Sequence, residues 1–325
     1  MRRLSAVSLS VVFFSVACSS SLTGNEGNFQ FSYAADDRIT DFNKPIAVGA
    51  KLDLEVRDVG GQQPVNLTDA SFDDTAVLDV VSFNDHELTV TATGEGNALL
   101  SVAGTTVDGD DLTDSVNLLA RVPEVHLLWH TCDPTGSGEA GYLTSQRVWL
   151  PFDFEMDNGQ PVIGYGYYPV ALSGDAAMTI NETDSTQAHM AYDIGDTPGA
   201  LTMTSDIDGA TLSMLIAAPE QIDGVADPIA FVLEDIDVGD VNSFYVLPTV
   251  DGTTLCQAEV TKQVASVTPD ICDVRDRDPL DPSSYEYGWF EVEGLAEGTC
   301  EFTVTYPDGN GGQGASGTFS YTIEP

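Results

Sequence analysis

Alternation of apolar and polar residues constrains this chain more than any other feature. It runs through Lys51-Leu52-Asp53-Leu54-Glu55-Val56, Leu88-Thr89-Val90-Thr91 and Thr299-Cys300-Glu301-Phe302-Thr303-Val304. A period of two puts every second side chain on one face, which suits a half-buried strand and not a helix. Between the runs stand DVGGQQP, TVDGDD, MDNGQP and YPDGNGGQG, whose Gly, Asp, Asn and Pro residues close turns. Short strands at this spacing predict an all-β chain built of sandwiches rather than parallel sheets.

The alternation also repeats. Residues 88–96 read LTVTATGEG, 201–209 read LTMTSDIDG and 290–298 read FEVEGLAEG. Each is followed by a second alternating run: NALLSVA, ATLSMLI and TCEFTVT. Upstream, LDLEVRDVGGQQPV (52–65) has an echo in FDFEMDNGQPV (152–162) and a weaker one in FYVLPTVDGTTL (244–255). The spacing predicts about three tandem sandwiches, at 28–122, 123–218 and 219–325, the middle one least well matched. Gly96, Gly209 and Gly298 are expected at positive φ, where a tight corner closes two strands. On these motifs, SFDDTAVLDVVS (71–82), LTVTATGEGNALLSVAG (88–104) and FEVEGLAEGTCEFTVTY (290–306), the chain resembles the bacterial Ig-like domains of group 2. Those domains occur in surface adhesins such as invasin and intimin, so the resemblance implies tandem immunoglobulin-like β-sandwiches and a binding role.

The amino terminus gives an address. Arg2 and Arg3 precede an apolar run, Ala6 to Val16, and then small residues, the three parts of an export signal. The run is too short for a bilayer core that needs roughly 20 residues. Cys18 follows Ala17 directly, and SSSLTGNEGN continues as a polar tether over 18–27. Residues 1–17 with Cys18 resemble a bacterial lipoprotein signal. The resemblance implies a lipid anchor on Cys18, and Ser19, not Asp, beside it implies the outer membrane or cell surface.

The cysteines are five, at 18, 132, 256, 272 and 300. An odd number is awkward for an exported chain, and acylation of Cys18 leaves four. Four allow three connectivities, and spacing does not choose among them. In the repeat alignment Cys272 takes the place of Leu78 and Cys300 that of Ala98, both core positions. That favours Cys272–Cys300, leaving Cys132–Cys256.

Asp and Glu number 52 against 11 Lys and Arg, for a formal charge of −41. Such a chain repels phosphate backbones, which excludes nucleic acid as a partner. A solvated acidic surface accounts for most of this charge. Calcium is the one cofactor the loop carboxylates suit, with candidates at Asp108, Asp110 and Asp111 and at Asp206 and Asp208, and weaker clusters at 235–237 and 273–281. Catalytic patterns fail. GSGEAG (136–141) fits a dinucleotide motif in letters, but no helix opens after it to hold a pyrophosphate. His126 and His130, four apart on a strand, stand about 13 Å from each other, too far for one zinc ion. The remaining candidate is aromatic: with Phe290 and Val292 in the core, Tyr285, Tyr287 and Trp289 fall on the opposite parity, where rings stack on sugars or anchor a protein. The expected function is therefore non-enzymatic: a lipid-anchored envelope protein presenting Ig-like domains for adhesion, surface-complex assembly or ligand binding. A carbohydrate-processing component and a structural stalk are the alternatives.

Overall fold

The computed structural model describes residues 21–33, 44–59, 63–132, 139–186, 188–230, 236–276, 288–307 and 314–325. These residues form strands throughout, with one 3-10 turn at Pro219–Gln221. The chain divides into two compact units that meet between Arg121 and Val122.

The first unit holds β1 (Ser21–Thr23), β2 (Phe29–Tyr33), β3 (Ile46–Ala47), β4 (Lys51–Asp58), β5 (Asn66–Phe72), β6 (Leu78–Asn84), β7 (Glu87–Ala92), β8 (Gly96–Thr105) and β9 (Asp111–Arg121). They make two sheets, β1-β2-β4-β7-β6 and β3-β9-β8-β5, antiparallel except where β3 runs parallel to β9. The alternating residues do what their period demands. Leu52, Leu54 and Val56 of β4 and Leu88 and Val90 of β7 are buried, and Leu100, Val102 and Val116 face them from the other sheet. A buried carboxylate fastens the entry to this sandwich. Asp114 accepts backbone N–H groups from Glu26 (2.9 Å), Asn28 (2.8 Å), Phe29 (2.7 Å) and Ser115 (2.8 Å). Burial opposes its charge, and the hydrogen bonds at Glu26, Phe29 and Ser115 outweigh burial, holding the carboxyl below its ordinary range.

The second unit begins with β10 (Val125–Leu128), β11 (Ala140–Leu143), β12 (Arg147–Glu155), β13 (Pro161–Val162), β14 (Val170–Gly174), β15 (Met178–Ile180), β16 (His189–Ile194), β17 (Gly199–Ser205) and β18 (Thr211–Ala217). It continues with β19 (Gly224–Val225), β20 (Ile229–Ala230), β21 (Ile236–Asp237), β22 (Val241–Tyr245), β23 (Pro248–Val250), β24 (Thr253–Leu255), β25 (Gln263–Ser266), β26 (Cys272–Asp276), β27 (Trp289–Gly294), β28 (Gly298–Tyr306) and β29 (Ala315–Glu324). Two further sheet pairs result. The orders β10-β12-β16-β15 and β14-β17-β18-β11 repeat β2-β4-β7-β6 and β5-β8-β9-β3 strand for strand. So do β20-β22-β27-β26 and β25-β28-β29-β21, with β11 parallel to β18 and β21 parallel to β29. One antiparallel two-sheet topology, immunoglobulin-like in its sandwiching and connections, therefore occurs three times.

The structure corrects one internal alignment. LTVTATGEG and FEVEGLAEG both cover the corner from β7 to β8 and from β27 to β28, but LTMTSDIDG covers the hairpin from β17 to β18, one strand later. The glycines show this directly. Gly96, Gly199 and Gly298 hold equivalent corners at φ 153°, 157° and 145°, whereas Gly209 sits at 76° in a hairpin turn. The middle counterpart is thus Gly199.

The expected boundary at 219 lies inside the second unit, and hydrogen bonding runs across it. β11 is flanked by β18 on one side and by β24, in parallel, on the other, extending that sheet through β23 to β19. Ile222 and Val260 pack against both the Leu143–Leu255 cluster and the Phe290–Phe302 core.

Candidate functional site

Two disulfides lie within the second unit. Cys272 on β26 and Cys300 on β28 join the two sheets of the last sandwich, with Cα atoms 5.5 Å apart. Cys132, just after β10, bonds Cys256, just after β24, with Cα atoms 5.4 Å apart. The first is the pair that the repeat alignment favours, and the second is the pair it leaves. Around the second, Gln257 adopts φ 52°, a conformation costly for a residue with a side chain unless neighbours enforce it. They do so on every side. Its Nε2 donates to Thr131 Oγ1 (2.9 Å) and Trp149 O (2.8 Å), and its Oε1 accepts from Trp149 N–H (3.0 Å). Gln146 Nε2 donates to the Gln257 carbonyl (3.1 Å), while Gln146 Oε1 accepts from Glu259 N–H (3.3 Å). The junction is clamped by a covalent bond and by two glutamines.

The aromatic candidate is only partly in view, because Tyr285 and Tyr287 lie outside the described residues. Trp289 opens β27 and is half-buried. It stands directly opposite Tyr245 of β22, their rings 5.1 Å apart and inclined by 47°. Phe290 and Val292 are buried, so the parity assigned from the sequence holds for this strand. Two partners escaped the sequence reading. Tyr245 was hidden in the weak echo FYVLP. Lys262, one of three lysines, is buried at 2% side-chain exposure and donates to Asp276 Oδ1 (2.6 Å) and the Trp289 carbonyl (2.8 Å). Burial lowers the lysine's pKa and Asp276 opposes that shift. The result is a ring pair backed by a buried ion pair.

Two of the calcium candidates accept hydrogen bonds from the protein itself. Asp208 accepts the backbone N–H groups of His126 (2.9 Å) and Ala210 (3.0 Å), and Asp111 accepts the Thr105 hydroxyl (2.7 Å). Asp108, Asp110 and Asp206 lie in the adjoining turns. Among the described residues, no group of three or more His, Cys, Asp or Glu side chains is placed to hold a metal ion.

The two histidines form separate buried contacts. His130 Nε2 lies 3.1 Å from the Ser213 carbonyl, so it carries the proton, and Nδ1 accepts from Tyr142 OH at 3.0 Å. His126 lies 3.2 Å from Ser205 Oγ through Nδ1, tilted against Phe154 (4.7 Å) and edge-on to Phe152 (5.8 Å). Its Nε2 is buried without a hydrogen-bond partner. Burial, only partly offset by Asp208, pushes its pKa down to about 4.

No family model matches the sequence, and no curated protein matches it. Solved structures resemble it at low identity. The surface layer protein SbsC, domains 4–9, is 15% identical with a TM-score of 0.28, covering 95% of this chain and 46% of that one. The SGBP-B protein of a Bacteroides ovatus mixed-linkage glucan utilization locus, solved with a mixed-linkage heptasaccharide, is 11% identical (TM-score 0.25; 90% and 70% covered). Invasin, a bacterial integrin-binding protein, is 14% identical (TM-score 0.24; 91% and 59% covered). The chain thus spans about half the length of the first of these. Likeness at these TM-scores says nothing of this chain's ligands or role.

Proposed function

We propose that this protein is a non-enzymatic, lipid-anchored protein of the bacterial cell envelope, displayed at the outer membrane or cell surface. In this reading it holds Ig-like sandwiches away from the envelope as a binding module for a protein or glycan. One observation carries the reading: all four cysteines beyond Cys18 are paired in two disulfides. Disulfides persist in oxidising compartments, which fits export, and their pairing leaves Cys18 alone beside the cleavage site, where an acyl chain attaches. The ring pair Trp289–Tyr245, with Tyr285 and Tyr287 just before it in the sequence, supplies the candidate contact face. A stiff spacer is the second reading, favoured by the clamp at Gln146, Gln257 and Cys132–Cys256.

Labelling whole cells with a palmitate analogue tests the anchor. The label is expected on the wild type and absent from Cys18→Ala; unlabelled protein released into the medium rejects the anchor. The same preparations on a glycan array and in envelope pull-downs test the contact face. A ligand lost with Trp289→Ala supports binding there, and signals indifferent to Trp289→Ala leave the spacer.

A further inference from the structure

The three copies of the sandwich differ at one end, and the difference points to an interaction surface. That end is defined by the same hydrogen bonds each time. In the first copy Val48 N–H donates to Arg121 O (2.9 Å) and Thr93 N–H to Val77 O (2.9 Å). In the second, Thr144 N–H donates to Ala217 O (2.9 Å) and Gly195 N–H to Ala177 O (2.8 Å). In the third, Val238 N–H donates to Glu324 O (3.1 Å) and Leu295 N–H to Ile271 O (2.8 Å). Strand pairing adds a third position: Lys51 opposite Thr91, Arg147 opposite Asp193, Val241 opposite Glu293. The three sets are therefore Val48, Lys51, Thr93; Thr144, Arg147, Gly195; and Val238, Val241, Leu295.

Only the last set is apolar throughout, and it is exposed: Val238 45%, Val241 51% and Leu295 44%. The side chains come from adjoining backbone, because Gly239 N–H donates to Gly294 O (2.8 Å) and Gly294 N–H to Asp240 O (3.0 Å). A valine in the place of Lys51 and Arg147 gives up a solvated cation for exposed apolar area, a loss unless something covers it. The second copy shows what this end is for. There Leu143 and Ala217 seat Val250, Leu255 and Ala258, and Gln146 binds Gln257 and Glu259. The end that is an internal interface in one copy is an open apolar platform in the next.

Charge selects the occupant. The strand ends and turns framing the platform carry Asp237, Asp240, Asp270, Glu297 and Glu324, all exposed. Arg275, on β26, is engaged by Glu293 (2.6 Å) and Asp273 (3.6 Å). A second copy of this chain would bring the same carboxylates face to face. We propose that this end of the last sandwich is a docking face for a protein segment whose apolar side chains are flanked by Lys or Arg. Apolar contact would supply affinity, and the acidic rim would supply orientation and approach rate.

Val241→Lys/Leu295→Thr installs the first copy's residues at exposed positions. The probe is a synthetic peptide of alternating leucine and lysine, read by amide exchange at 238–241 and 293–297 and by titration. Protection of those amides in the wild type, with binding about tenfold weaker in the variant, is the expected result. Binding equally tight in both proteins, or protection elsewhere, means the peptide responds to net charge alone and overturns the proposal. Sedimentation velocity without peptide covers the remaining occupant. Self-association that the variant abolishes would assign the platform to a second copy and likewise overturn the basic partner.

Discussion

The first sandwich and the last share a topology and differ in how their sheets are fastened. In the first, Leu78 on β6 and Ala98 on β8 are both buried and carry no covalent link. In the last, Cys272 on β26 and Cys300 on β28 occupy those places and are bonded. The fold tolerates both solutions because the two positions face each other across the sheets whatever fills them. The covalent solution acts mainly on the unfolded chain, closing a loop of 28 residues' separation. In the chain-entropy model that is worth about 3–4 kcal/mol. Cys272→Ala/Cys300→Ala is therefore expected to lower the stability of the second unit by about that amount in denaturant titration, with the first unit unmoved. An unchanged midpoint would mean that the cysteines only fill space, as Leu78 and Ala98 do.

A second contrast concerns acid. Counted along the paired strands, Phe29 stands opposite Asp58 in the first copy and His126 opposite Phe154 in the second, each seven residues on from Lys51 and Arg147. Phe29 is indifferent to pH; His126 is not. Its folded pKa of about 4 lies below the ordinary 6.5, so the native state prefers the neutral ring. The unfolded chain takes up a proton first as pH falls. Stability from this group is complete above pH 6.5 and drains away down to about pH 4, by about 3 kcal/mol. The first unit carries its acid sensitivity elsewhere, at Asp114, whose carboxyl sits below its usual range. Its bonded form is lost only when pH falls through that lowered value. Melting at pH 7 and pH 5 should thus destabilise the second unit while sparing the first. His126→Phe, which copies the first sandwich, should flatten the second unit's response. A response that survives the substitution would place the sensitivity in other groups.

These contrasts also show what could be read beforehand. β4, β7, β8, β27 and β28 each bury one face, so period two was plain and their motifs aligned the first and last copies correctly. Leu78 with Cys272, and Ala98 with Cys300, followed from that alignment. In the middle copy the signal failed for a physical reason. β16 buries Met190, Ala191 and Tyr192 in succession, so the counterpart of β7 shows no alternation. LTMTSDIDG, half-buried and regular, offered a better match one strand too late. The continuity across residue 219 was hidden likewise, since Ile222 and Val260 are single residues whose double packing no local pattern reveals. Lys262 and Tyr245 beside Trp289 come together only through the pairing of β22 with β27 and the approach to β25.

Glycine offers the finest test of that corrected alignment. Gly199 has φ 157°, a region that side chains scarcely enter, and an added Cβ would lie 2.8 Å from the Cβ of Asp175. At Gly96 and Gly298 the added Cβ would lie 3.0 Å from Val77 Cγ2 and 3.3 Å from Ile271 Cδ1, on the same side but less tightly. Gly209, at φ 76°, has open space around it. Gly199→Ala must therefore absorb both a disfavoured backbone and a collision, a cost of about 2–3 kcal/mol, whereas Gly209→Ala meets only the left-handed penalty of about 1 kcal/mol. If the middle copy obeys the corner geometry of its neighbours, Gly199→Ala will cost at least as much as Gly96→Ala and Gly298→Ala in thermal unfolding. A larger loss at Gly209 than at Gly199 would restore the alignment that the sequence motifs suggested and would break the strand-for-strand equivalence of the middle copy.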